Sequence, residues 1–257
     1  MKMAEQWIAL STIVRKEIVR FTRIWVQTLL PPVITMGLYF VIFGQLIGSR
    51  IGQMDGFSYM EFVVPGLIMM SVITNSYSNV VSSFFGVKFQ RSVEELLVSP
   101  TPNYIILLGY VLGGVSRGLL VGFVVTLVSF LFTDLTIHSL PITISIVFMT
   151  AIVFSLAGFL NAVFARTFDD ISIVPTFILT PLTYLGGVFY SISLLPSFWQ
   201  SVSQLNPILY MVNAFRYGIL GISDINITYA FVGVFVFIIL LTAICLQLLA
   251  RGTRLRS

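Results

Sequence analysis

Six polar side chains in a row, Thr74-Asn75-Ser76-Tyr77-Ser78-Asn79, interrupt a stretch that is otherwise strongly apolar. In lipid such amides, hydroxyls and a phenol must face other helices or a watery path. Arg117 stands inside a second apolar stretch and is the one basic residue expected well within a span. A third group, Gln90, Arg91, Glu94 and Glu95, lies in a short charged segment between the two stretches. Other chemistry is missing. No Gly-x4-Gly-Lys-[Ser/Thr] occurs, and none of Lys2, Lys16 and Lys88 follows a glycine, so a phosphate-cradling loop is excluded. The single histidine, His138, supports neither a zinc protease nor a histidine relay. Glu61, Asp134, Asp169, Asp170 and Asp224 fall at or beyond the ends of apolar stretches, which leaves no convincing buried carboxylate for a proton- or sodium-coupled carrier.

Composition says which solvent these residues are built for. The chain is 57% hydrophobic and 9% charged, with a mean hydropathy of +1.00. A soluble domain carries about 25% charged residues, so this chain could not cover a surface that water solvates. It reads as an all-α integral membrane protein forming one domain over 1–257. The net charge of +4 does not point to nucleic acid, because the basic residues cluster at the ends of apolar stretches. Cys245 is the only cysteine, so no intrachain disulfide can form. No removable signal peptide is expected, since the first twenty-odd residues are amphipathic and charged.

The elements that must position the polar groups follow from periodicity. Residues 4–25, within an N-terminal unit 1–26, show Trp7, Leu10, Val14, Ile18, Phe21 and Trp25 on one stripe, with Lys16, Arg20 and Arg23 on a polar face. That pattern predicts an interfacial helix on the membrane surface, its basic face toward anionic headgroups of the membrane lipid. A six-helix bundle over 27–250 follows, with spans at 27–48, 60–85, 103–132, 140–165, 172–193 and 226–250. Residues 86–102 read as a short helix outside the bilayer. Residues 194–225 read as short re-entrant helices dipping into the outer membrane face, and 251–257 as a basic tail. In the third span Gly109, Gly113, Gly114, Gly118 and Gly122 recur at spacings that let helix backbones approach closely.

Orientation follows from the basic residues. Lys2, Arg15, Lys16, Arg20, Arg23, Lys88, Arg91, Arg166, Arg251, Arg254 and Arg256 fall on one side, against Arg50 and Arg216 on the other. The bias predicts that both termini are cytoplasmic.

Several of these stretches, in order, resemble the type-2 family of ABC exporter permeases. They are Phe89-Gln90-Arg91-Ser92-Val93-Glu94-Glu95-Leu96-Leu97-Val98-Ser99-Pro100, then Asp169-Asp170-Ile171 leading to Pro181-Leu182-Thr183-Tyr184-Leu185-Gly186-Gly187-Val188-Phe189-Tyr190, and Leu205-Asn206-Pro207 with Arg216-Tyr217-Gly218. With the N-terminal helix the likeness covers essentially the whole chain, and it is greatest to the small bacterial inner-membrane permeases of this family. The resemblance implies a half-transporter that forms a homodimer and binds two separately encoded ATPase subunits. ATP and Mg would then be bound by the partner, with no cofactor in this chain. It also implies that Gln90, Arg91, Glu94 and Glu95 belong to a coupling helix against the ATPase, with Val93, Leu96 and Leu97 filling a groove there. The competing use of those charges is a solvated face with Arg91 and Glu95 as an i,i+4 pair.

Asn75, Tyr77 and Asn79, with Thr180, Thr183 and Tyr184 of the fifth span, are the candidates for lining a translocation path. The same groups would serve equally for hydrogen bonds between helices of one subunit. Arg117 is expected to be a structural partner for carbonyls or an ion. Tyr39, Phe40, Phe43, Phe189 and Tyr190 could stack on a flat cargo or simply pack. The leading expectation is an exporter of a drug, lipid or lipid-linked glycan. An ATPase-independent carrier or channel and a non-transporting membrane module are the alternatives.

Overall fold

The computed structural model describes residues 2–252, and the expected tail residues Arg254 and Arg256 lie outside them. Helix α1 (Met3–Arg23) breaks at Ile24 and α2 (Trp25–Tyr39) follows, continued by a π-wound segment Phe40–Ile47 and by α3 (Gly48–Ile51). The Thr28 hydroxyl bridges the bend by donating to the Phe21 carbonyl at 3.1 Å. A small hairpin of β1 (Gln53–Met54) and β2 (Phe57–Ser58) turns at Asp55-Gly56, both with positive φ, as a two-residue hairpin turn requires. Ser58 then caps the long helix α4 (Tyr59–Phe89) through a reciprocal bond pair with Glu61.

After α4 come α5 (Ser92–Val98), α6 (Asn103–Ser129) and α7 (Leu140–Phe164). A second helical run is built from α8 (Phe168–Val174), a π-wound Pro175–Leu179 and α9 (Thr180–Tyr184). Proline at 175 and 181 removes donors from this run, and the Thr180 hydroxyl satisfies the Pro175 carbonyl at 2.9 Å. A 3-10 turn (Ile192–Leu194) and the short helices α10 (Ser197–Gln204) and α11 (Pro207–Leu220) precede α12 (Ile227–Arg251).

Among the described residues four helical stretches are long and apolar enough to cross a membrane: Trp25–Ile51, Asn103–Ser129, Leu140–Phe164 and Ile227–Arg251. They match the expected first, third, fourth and sixth spans. Helix α4 stands where the second was expected, and its polar run is tolerated because most of it is enclosed by protein. The expected fifth span at 172–193 is instead helical over 168–184, about 25 Å long at 1.5 Å per residue. Beyond Tyr184 the chain turns at Gly187, whose φ of +71° an L side chain would resist.

Helix α4 forms the centre, packed between α6 and α7, with α11 across its N-terminal end and α1 beside its C-terminal half. Helix α1 runs antiparallel to α4 because Glu17 meets Ser83 while Arg20, further along α1, meets Asn79. The side of α1 turned to the bundle carries Ile13, Glu17 and Phe21, whereas Trp7, Ile18 and Trp25 of the expected apolar stripe are exposed. Arg20 therefore does not join Lys16 and Arg23 on an outward basic face. Arg216, expected in an outer loop, is 1% exposed within α11.

Candidate functional site

The candidate coupling segment is one continuous exposed surface. Helix α4 ends at Phe89, and the chain reverses through Gln90 and Arg91, whose left-handed φ of +61° makes it the residue that opens α5. Gln90, Arg91, Glu94 and Glu95 are all exposed there. Both glutamates sit in the first turn of α5, where the helix dipole favours negative charge. Because Arg91 precedes the helix, the i,i+4 pairing with Glu95 does not form, and the one ion pair among the described residues is Arg20–Glu17.

Val93, at 1% exposure, together with the half-buried Leu96 and Leu97, packs on the chain's own core. Val93 thus anchors α5 to its own subunit, and Leu96 and Leu97 keep part of their surface exposed beside it. The pole is fastened further by Lys88, whose ammonium donates to the carbonyls of Val163 and Ala165 at 2.6 and 2.7 Å. Between α1, α5 and α6 lies an open groove bordered by Thr12, Lys16, Gln90, Ser92, Glu95 and Tyr110. Two of the four expected coupling residues thus share a cleft with a basic residue of α1.

The expected path residues separate into three groups. Asn75 and Asn79 are buried on the side of α4 that meets α6 and α1. Asn75 Oδ1 accepts from Arg117 at 3.2 Å, and Asn79 Oδ1 accepts from Arg20 at 2.8 Å. Tyr77, also buried, faces α7 and its hydroxyl accepts from Asn161 Nδ2 at 2.7 Å. Thr183 is buried and donates to the Leu179 carbonyl, while Thr180 and Tyr184 are exposed. No hydrogen bond among the described residues joins the α4 set to the α9 set. The Tyr184 ring stacks on Phe189 at 5.5 Å, and Phe189 also meets Phe43 at 4.8 Å and Tyr39 at 6.2 Å. Phe40 instead packs on Phe132.

Glu17 was not among the residues singled out by sequence, and it is fully buried. Its carboxylate accepts from the Ser83 hydroxyl at 2.5 Å and from the Arg20 guanidinium at 3.1 Å. The same guanidinium donates to the Asn79 carbonyl at 2.9 Å. A signal was present: Ile13, Glu17 and Phe21 repeat at four residues, and the first two meet Gly109 and Gly113 of α6. A Cβ on Gly113 would lie 2.5 Å from that of Glu17.

At the other end, Arg216 donates to the Gly187 carbonyl at 2.6 Å and to the Phe62 carbonyl at 3.3 Å, and its guanidinium lies 3.9 Å from the centre of the Phe62 ring. Asn206 caps α11 and donates to the Leu182 carbonyl at 2.6 Å. The stretches 181–190 and 205–218, distant in sequence, therefore meet around two side chains.

The chain is similar to known proteins over most of its length. A family described as ABC-2 type transporter matches residues 8–220. The chain is 63% identical to the inner membrane transport permease YadH of Escherichia coli K12 over 251 residues, 98% of each chain. It is 24% identical to Nodulation protein J of Sinorhizobium fredii over 171 residues, covering 66% of this chain and 65% of that one. It is also 23% identical to Nodulation protein J of Rhizobium meliloti over 185 residues, covering 72% and 71%. A match over most of the chain, seated on the elements that carry its polar contacts, makes this protein a member of the ABC-2 type transporter family.

Proposed function

We propose that the chain is the permease subunit of an ATP-driven exporter in a bacterial inner membrane, with both termini cytoplasmic. It works as a homodimer with two separately encoded ATPase subunits, which bind ATP and Mg, and it moves an amphipathic molecule outward. The observation that carries this reading is the exposed turn and helix Gln90–Val98 at the end of α4, in a chain similar over nearly its full length to a transport permease. Its charged outer side is free to meet a partner while Val93 fixes it to the bundle, so a movement of α5 is delivered to α4. The path lies between two copies. Thr180 and Tyr184, exposed on α9, line it directly, and Asn75, Tyr77, Asn79 and Thr183 reach it on rearrangement.

A carrier working without an ATPase would use a buried carboxylate that titrates. Glu17 is the buried carboxylate among the described residues, and its oxygens are already engaged by the Arg20 guanidinium and the Ser83 hydroxyl of the chain itself. Co-expression with its ATPase tests the reading. The tagged chain should co-purify the ATPase in equal amounts and hydrolyse ATP only in its company. Robust hydrolysis by the purified chain alone, or no association, would refute it.

A further inference from the structure

One face of α4 carries polar residues at a strict spacing of four: Ser71, Asn75, Asn79 and Ser83, all buried. Each step is one helical turn, about 6 Å at 1.5 Å per residue. Three charged groups on the neighbouring helices grip successive rungs: Glu17 holds Ser83, Arg20 holds Asn79 and Arg117 holds Asn75. The glycine contacts of α6 repeat with the same period. Gly114 faces Val80, Gly118 faces Ser76 and Gly122 faces Val72. A second observation shows that the present register leaves bonds unmade. Asn79 Nδ2 is fully buried without a partner, as is Arg117 Nε.

We propose that α4 is a one-turn ratchet, sliding against α1 and α6 by one rung when the ATPases engage α5. In the shifted register Asn79 Nδ2 donates to Glu17, Arg20 donates to Asn75 Oδ1, and Arg117 donates to the Ser71 hydroxyl. The glycines of α6 admit the step, because each receives the residue one turn along from its present neighbour. Gly114 takes Ser76 in place of Val80, and Gly118 takes Val72 in place of Ser76. The charged pair Glu17–Arg20 stays intact, since both residues ride on α1, and only neutral partners change. That keeps the costly separation of buried charges out of the transition. Two alternative packings related by one helical turn are a known form of conformational switch. Helix α7 travels with α4, tied to it by the Tyr77–Asn161 bond and by the seat of Gly158 under the Tyr77 backbone.

This inference rests on the ATP-driven reading, and one experiment separates their failures. Spin labels are placed at Ser11→Cys on α1 and Thr74→Cys on α4, both exposed, in a Cys245→Ser background. The full complex with its ATPase is measured in nanodiscs, without nucleotide and then with Mg and a non-hydrolysable ATP analogue. Helices α1 and α4 are antiparallel and a shift of Asn79 toward Glu17 moves Thr74 toward Ser11, so the distance should shorten by about 6 Å, one rung. Asn79→Leu, which removes one rung in both registers, should abolish the shortening while the ATPase still binds. An unchanged distance in a complex that binds and hydrolyses ATP overturns the ratchet and leaves the exporter reading standing. Failure of the ATPase to bind at all overturns both. If Asn79→Leu does not fold, the distance measured with the native rungs decides.

Discussion

The Arg20 guanidinium lies 3.1 Å from the Glu17 carboxylate on its own helix and 2.8 Å from Asn79 Oδ1 on α4. That relationship converts the amphipathic helix α1 from a float on the membrane surface into a fixed part of the bundle. It also places a charged contact on α4 about three turns from the exposed turn at Gln90 and Arg91.

Removing the carboxylate should loosen α1. Glu17→Ala leaves the Ser83 hydroxyl and part of the Arg20 guanidinium without a partner, and a buried donor left unmade costs about 1–3 kcal/mol. The expected result is a lower melting temperature in detergent and faster proteolysis after Arg15 and Lys16. Glu17→Gln, which keeps an acceptor for Ser83, should fall between the alanine variant and the wild type. Equal melting for all three would show that the pair contributes nothing.

The close approach of α1 to α6 should tolerate no side chain. In Gly113→Ala the added Cβ meets the Glu17 Cβ at 2.5 Å, so α1 must shift and stability should fall by about 1–3 kcal/mol, the usual cost of overpacking. Gly233→Ala on α12 is the comparison, because nothing lies within 4 Å of its added carbon. There the helix propensity of alanine should stabilise by up to about 1 kcal/mol. Thermal melting of the two variants side by side reads the difference.

Much of this architecture was legible in the sequence, and the exceptions share a cause. The apolar stretches, the amphipathic start, the charged turn at Gln90 and the Asn206-Pro207 helix opening are local patterns, visible in a short window. Glu17 and Arg216 were not legible as buried, because a charge enters the interior only where partners from other helices meet it. Ser83 lies 66 residues from Glu17, Asn79 lies 59 from Arg20, and Gly187 lies 29 from Arg216. The fifth helix ends earlier than its apolar pattern for a related reason. Leu185, Val188, Phe189 and Tyr190 keep the stretch apolar, but Gly187 breaks the helix to supply the carbonyl that Arg216 needs. Of the candidate site, the exposed charged segment at Gln90, Arg91, Glu94 and Glu95 could be read from its motif, whereas the pairing of Asn75 with Arg117 and of Asn79 with Arg20 could not.

Acid should unlatch the start of α8. Asp170 closes a capping box with Thr167, and bonds from the backbone amides of Arg166 and Thr167 hold its carboxyl below the usual carboxylate range. A carboxyl depressed on folding adds stability above its unfolded pKa and loses that contribution as pH falls through the folded value. Hydrogen-exchange protection of the Arg166 and Thr167 amides, which donate to this carboxylate, should therefore hold at neutral pH and decline below about pH 4, the ordinary aspartate value. Thr167→Ala should remove about 1 kcal/mol of helix-start stability at neutral pH. Protection that is flat across the acid range would contradict this cap.

If α5 presents its charges to an ATPase, as proposed, those charges should decide whether the ATPase binds. Reversing two of them, Glu94→Lys with Glu95→Lys, adds like-charge repulsion as well as removing attraction at a complementary surface. Both side chains are exposed, so insertion and melting of the chain should be unchanged. Asp134→Lys, in the loop between α6 and α7, serves as the control. The deciding measurement is ATPase co-purified per permease chain. Recovery should match the wild type with Asp134→Lys and fall at least roughly tenfold with the double reversal, the equivalent of about 1.4 kcal/mol of binding. Equal recovery in both would contradict that proposal and leave α5 a solvated helix.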